Sequence, residues 1–313
     1  MSAVRLTVPG NILVLGEYAV LEEGGLGFAV AVETRVRLEA EEAPTLSVEG
    51  TWPGSSVSWT PDSRGTSALV ETAVDAVSRR LGRAITARVR VDSSAFFTSD
   101  GRKTGLGSSA AVSVALVCGL LRGAGGAALP MADARGLALQ AHRLAQGGRG
   151  SGYDVFTSFH GGSGLFRGGP APSWDPCPMP GEMDILLFAG PAPVSTAESV
   201  SRYSAWKERN PGAARDFLAE SNNAILSFVR SGTIDGARKA LGMCATLGIA
   251  LGRSIGVSAE LPIPAGLDPR WCKALGAGNE LGLCLVPRGD GPRAAVPGAR
   301  PVLRAETGVT WEE

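Results

Sequence analysis

The sequence predicts an α+β protein of two domains. Strand-like alternation and helical periodicity both occur but are segregated along the chain. The helix around Val114 is apolar on nearly every face and so belongs in a core. A stretch too rich in proline for interior structure, residues 168–181, divides the chain into halves at 1–170 and 182–313.

The elements follow in order. Val8 to Leu21 reads as a turn leading into an apolar strand that ends at Gly16 and Glu17. Arg35–Glu39 and Arg88–Val91 alternate with period two, the mark of half-exposed, antiparallel strands. Between them Val70, Ala73, Val74, Val77 and Leu81 fall at helical spacing. The buried helix runs from Ala110 to Leu121, and a further helix carries Leu137, Ala138, Ala141, Leu144 and Ala145 up to the stop at Gly147 and Gly148. Beyond the proline-rich stretch come a strand over Met183–Ala189, several helices between Glu198 and Gly252, and a strand over Leu281–Val286. A turn at Gly289 then precedes a last strand near Pro301–Arg304.

Composition narrows the function. With 30 basic and 30 acidic residues the net charge is zero, which argues against a nucleic-acid partner and requires any anion to be gripped locally. No signal-peptide pattern and no membrane-length apolar run is present, so the expected setting is the cytoplasm, without a membrane partner. The five cysteines are scattered with no Cys-x-x-Cys pair, as for free thiols in a reducing compartment. His142 and His160 lack metal-ligand spacing, and His142, among alanines and leucines, reads as a surface or packing residue.

The most informative stretch is Lys103 to Ala111, where a glycine turn opens directly into the apolar helix. A helix start offers unpaired N–H donors and the positive end of the macrodipole, which together suit a phosphate. Gly105, Leu106, Gly107, Ser108, Ser109 and Ala110 would supply that cradle, with the Ser108 and Ser109 hydroxyls free to reach phosphate or Mg²⁺. The same residues also fit a loop ending in a serine cap with no ligand. Neither the dinucleotide fingerprint nor the P-loop applies, because no strand precedes the glycines and Lys103 stands before them.

Two further segments share this pattern. Pro9-Gly10-Asn11 to Leu21 lies near the N-terminus, and Leu275-Gly-Ala-Gly-Asn-Glu-Leu-Gly282 near the C-terminus. In order and content the three resemble the motifs of the GHMP kinase superfamily, named for galactokinase, homoserine kinase, mevalonate kinase and phosphomevalonate kinase. Within it the details are most similar to the phosphomevalonate kinases: Lys103 directly before Thr-Gly-Leu-Gly-Ser-Ser, Gly150-Ser-Gly-Tyr-Asp154 after a helix ending in Ala-Gln, and Ser195-Thr196 followed by Trp206-Lys207 and Asn210-Pro211. The resemblance implies a two-domain fold, with an N-terminal half like ribosomal protein S5 domain 2 and a ferredoxin-like C-terminal half. It implies ATP and Mg²⁺ as cofactors, phosphomevalonate as the small-molecule substrate, and a monomer or homodimer.

By resemblance Lys103 and Asp154 are the catalytic pair. Asn11, Glu17, Tyr18, Ser151, Gly152, Ser195 and Thr196 fall at the substrate, and Ser108 or Ser109 on the metal. Plain structural roles also fit several of these: a cap for Asp154, Ser195 or Thr196, and a strand-end carboxylate for Glu17. Two departures stand out. Asn11 occupies a place where the superfamily usually has a lysine or arginine, and Asn279-Glu280 replaces glycine in the third motif. Mevalonate kinase, a related decarboxylase, or a ligand sensor of the same fold are the alternatives.

Overall fold

The computed structural model of the chain describes residues 3–123, 131–148, 150–191, 193–288 and 296–312. In chain order they form β1 (Val4–Leu15), β2 (Leu26–Glu41), β3 (Ser47–Trp52), β4 (Ser55–Trp59), α1 (Ala68–Leu81), β5 (Arg88–Asp92), α2 (Ser108–Gly123), α3 (Met131–Ala145) and α4 (Tyr153–His160). Next come β6 (Ser163–Arg167), β7 (Ser173–Pro176), β8 (Met183–Ala189), α5 (Thr196–Arg209), α6 (Pro211–Arg230) and α7 (Ile234–Ile255). The chain closes with β9 (Cys272–Leu275), β10 (Leu281–Pro287), β11 (Ala299–Val302) and β12 (Thr310–Glu312). Among the described residues no helix is long and apolar enough to cross a membrane.

Two compact units result, and each draws on separated segments: Met1–Ile12, Ala31–Gly162 and Arg304–Glu313 in the first, Leu13–Val30 and Ser163–Leu303 in the second. This differs from the linear division expected at residues 170–182, because β1 and β2 each pass from one unit into the other and the C-terminal residues return to the first.

In the first unit the strands run in the order β12-β1-β2-β5-β3-β4. The short β12 pairs antiparallel with Arg5–Thr7 of β1. The predicted antiparallel pairing holds between β2 and β5, from Arg37↔Asp92 to Glu41↔Arg88. Val89 and Val91 face the core while their neighbours are exposed, as period-two alternation requires. Helix α2 is buried all round, with Val114, Ala115, Leu116, Val117 and Leu120 fully inaccessible. It can lie this close to β2 because Gly119 has no side chain; a Cβ there would stand 2.3 Å from Leu38 Cδ2.

The second unit has an antiparallel sheet in the order β11-β8-β10-β9, accompanied by α5, α6 and α7. It also holds residues 26–30 of β2, paired with β6, which in turn pairs with β7. Asn222 of α6 ties down the start of β2, accepting from the Leu26 N–H at 2.8 Å and donating to the Gly24 carbonyl at 3.1 Å. Strand β7 lies inside the stretch read as a linker. Its one partner among the described residues is β6 and Pro176 closes it, and such an edge position is where a strand tolerates proline. The turn expected at Gly289 lies outside the described residues.

Candidate functional site

The cradle is built from below. The Asn11 N–H of β1 donates to the Leu106 carbonyl at 2.9 Å, and the Thr104 N–H and hydroxyl both donate to the Phe96 carbonyl, at 2.9 and 3.0 Å. Gly107 takes φ +75°, and a Cβ on it would stand 2.2 Å from Asn11 Nδ2, so this position accepts neither an ordinary backbone nor a side chain. Helix α2 then opens at Ser108, and its first intrahelical bond runs from the Ala111 N–H to the Gly107 carbonyl at 3.2 Å. The N–H groups of Ser108, Ser109 and Ala110 precede that bond and have no acceptor in their own helix. Both serines are half-buried, whereas Lys103, at the approach to the turn, is exposed and has no ion-pair partner among the described residues.

Asn11, expected at the substrate, is only 2% exposed, and its amide donates to Ser158 Oγ of α4 at 2.9 Å. Asn11 therefore joins the underside of the cradle to α4.

Asp154 is the second residue of α4, behind a left-handed Gly152 with φ +93°. The carboxylate is not the N-cap of its helix. One oxygen accepts from the Val155 N–H at 2.9 Å, the other faces His142 Nε2 at 3.0 Å, and the side chain remains 19% exposed. His142, on α3, is fully buried rather than a surface residue, and its Nδ1 meets Ser113 Oγ of α2 at 3.1 Å. Ser113 lies one helical turn beyond Ser109, so two hydrogen bonds tie the carboxylate to the opening turns of α2. Arg143 secures the intervening loop, with Nε on the Gly150 carbonyl at 3.0 Å and a terminal nitrogen on the Ser151 carbonyl at 2.5 Å.

Burial disfavours charge on both members of this pair, but their mutual charge and hydrogen bond outweigh it. The Asp154 carboxyl is held below the ordinary carboxylate range, and the His142 imidazole above its ordinary value. The sequence carried a faint signal of this, a histidine on the apolar stripe of a helix twelve residues before an aspartate.

In the second unit the first and third motifs meet. Glu17 forms an ion pair with Lys273 of β9, their side chains 15% and 4% exposed. The Tyr18 hydroxyl, pushed up to a pKa of about 12 mainly by burial, donates to the Ala277 carbonyl at 2.6 Å. Glu17, Tyr18, Lys273 and Gly276–Gly278 line one wall of a cavity of 360 Å³, and residues of α7 such as Cys244 and Gly248 line another. Lys273 was missed in the sequence, although a lone lysine inside an apolar strand is unusual enough to mark it.

The two substitutions in the third motif have structural work of their own. The Asn279 amide donates to the Glu260 carbonyl at 3.0 Å, and the Glu280 carboxylate accepts from the Val194 N–H at 3.3 Å. Ser195 caps α5, its hydroxyl accepting from the Glu198 N–H at 3.3 Å, and Thr196 is the exposed first residue of that helix.

Residues 68–162 match the GHMP kinases N terminal domain. The phosphomevalonate kinase of Saccharolobus solfataricus is 29% identical over 163 residues, a stretch covering 50% of this chain and 47% of that protein, so the match spans about half of each. A Listeria innocua protein, Lin0012, shares the fold over 100% of both chains, with a TM-score of 0.80 at 19% identity. The Streptococcus pneumoniae phosphomevalonate kinase, solved in complex with phosphomevalonate and AMPPNP, does so over 91% of this chain and 92% of its own, with a TM-score of 0.73 at 19% identity. The family match takes in the cradle and Asp154, and along its length the chain has the fold of these two structures.

Proposed function

We propose that the protein transfers the γ-phosphoryl group of ATP to the phosphate of phosphomevalonate, giving diphosphomevalonate. The observation that carries this reading is the open head of α2 with Asp154 bonded, through His142, to the same helix. In phosphoryl transfer a protein mainly positions reactants and offsets charge. The N–H groups from Gly105 to Ala110 suit the nucleotide phosphates, and the exposed Lys103 ammonium suits the charge that develops during transfer. Among the described residues no cluster of His, Cys, Asp or Glu side chains could hold a metal ion. Ser108 or Ser109, half-buried at the head of α2, would hold magnesium, which would supply neutralisation of phosphate charge.

The state of Asp154 favours a phosphate acceptor. A phosphate monoester, with a second pKa of about 6, is largely ionised at neutral pH and needs no base. An alcohol would need one, and a carboxylate held below its ordinary pKa by His142 is a weaker base than free aspartate. Asp154 then aligns the acceptor.

An ADP-release assay with phosphomevalonate, mevalonate and galactose in parallel tests the reading. Turnover is expected with phosphomevalonate alone. Lys103→Ala is expected to cost about a hundredfold or more in kcat, and Asp154→Asn less. Turnover of mevalonate, or a greater loss in Asp154→Asn, would move the acceptor to an alcohol. Absence of magnesium-ATP uptake in calorimetry would remove the cradle assignment.

A further inference from the structure

We infer that His142 is a positioning residue for Asp154, holding the carboxylate in one orientation and in its ionised form, with Ser113 fixing the imidazole ring. The part of this that concerns turnover rests on the phosphoryl-transfer reading above.

The argument begins with burial. His142 and Ser113 are both fully inaccessible, so neither touches solvent or a ligand directly. A buried imidazole must have both nitrogens satisfied, and here each nitrogen is used on a different helix: Nδ1 toward Ser113 of α2, Nε2 toward Asp154 of α4. An ionised carboxylate only accepts, so the proton facing it belongs to Nε2. The Gln146 side-chain amide also stands 2.9 Å from Nε2, and a ring N–H there calls for the amide oxygen on that side. With the Nε2 proton fixed, Asp154 cannot rotate without breaking a bond inside the protein. Its second oxygen is already engaged by the Val155 N–H, so the orientation is determined from both ends.

The charged surroundings act the same way. From α3, His142 and Arg143 bear on the carboxylate, while α2 contributes only the neutral Ser113. Burial alone would push Asp154 toward its protonated form, and His142 is the main group opposing it. A protonated Asp154 would present a donor where an acceptor is needed. An apolar residue at position 142 would fill similar space but do neither job, which separates this role from plain packing.

The test uses the full chain with His142→Gln, which keeps an amide able to reach both neighbours but carries no charge, and Ser113→Ala, which removes one hydroxyl. In His142→Gln the kcat is expected to fall about tenfold to a hundredfold, as for a misplaced reactive group, with magnesium-ATP affinity by calorimetry within about twofold of wild type. The acid limb of the kcat profile should move to higher pH in His142→Gln, and by less in Ser113→Ala. A readout independent of turnover is the ¹³C titration of the Asp154 carboxyl, assigned with Asp154→Asn. It should titrate below ordinary aspartate in wild type and move upward in both variants. An unmoved Asp154 titration in both would overturn the inference whether or not the protein proves to be a kinase. If the titration moves but wild type turns over no acceptor, the inference survives and the phosphoryl-transfer reading fails.

Discussion

Single residues decide how charge is tolerated in each unit, and the Glu17–Lys273 pair is the sharpest case. Both side chains are largely withdrawn from water, so each depends on the other for compensation. Lys273→Met leaves the Glu17 carboxylate unpaired in the cavity wall and is expected to destabilise by about 3–5 kcal/mol. Glu17→Gln combined with Lys273→Met removes both charges and should recover most of that loss. Denaturant unfolding of the three proteins checks it, and a double variant no more stable than Lys273→Met would show that unpaired charge is not the cause. Asn11 teaches the converse lesson about reading residues one at a time. In the sequence it registers as a missing cation, yet its amide is bonded to Ser158 and packed beneath Gly107. A motif position states which backbone site a residue occupies, whereas the direction of its side chain depends on what α4 offers it.

At the level of elements, the cradle was legible because its causes are local: glycines that permit the turn, serines at a helix start, and an apolar run that must be buried. The α3 contribution was not legible, since the burial of His142 comes from α2 and α4 and no window of sequence contains all three. The pair has a consequence for stability. Asp154 has a lowered pKa in the folded protein, so its contribution is present above the ordinary aspartate value of about 3.9 and is lost as pH falls through the lowered value. His142 has a raised one, so its contribution is complete below the ordinary histidine value of about 6.5 and is lost as pH rises through the raised value. The stability of wild type over His142→Gln should therefore peak between about pH 4 and 6.5 and shrink on both sides. Thermal unfolding at pH 5.5 and 8.5 checks this, and a difference equal at the two values would show that the pair is not ionised in the fold.

For the whole molecule, composition and periodicity were enough for an α+β protein of two units, but not for how the chain is shared between them. A proline-rich stretch looks like a boundary in sequence, while the three residues of β12 carry no signal that they belong beside β1. Long-range pairing of this kind is set by which strand edge is left open, and that is a property of the finished sheet. It leads to a prediction about dissection. A fragment of residues 1–170, cut at the apparent linker, loses β12 from the edge of β1. It also loses the Ala305 backbone, which donates to the Ala31 carbonyl at 2.9 Å and accepts from the Gly162 N–H at 2.8 Å. The fragment retains residues 13–30 and β6 without the rest of their unit, exposing Phe28, whose ring otherwise packs edge-on to Phe228 at 5.2 Å, and removing the Asn222 bonds to Gly24 and Leu26. An exposed apolar segment and an uncovered strand edge both favour association over folding. The fragment is thus expected to aggregate or to unfold without a cooperative transition by circular dichroism, where the full chain unfolds cooperatively. A soluble 1–170 fragment with a sharp transition would mean that the first unit needs neither its C-terminal strand nor the α6 partners of residues 24–28.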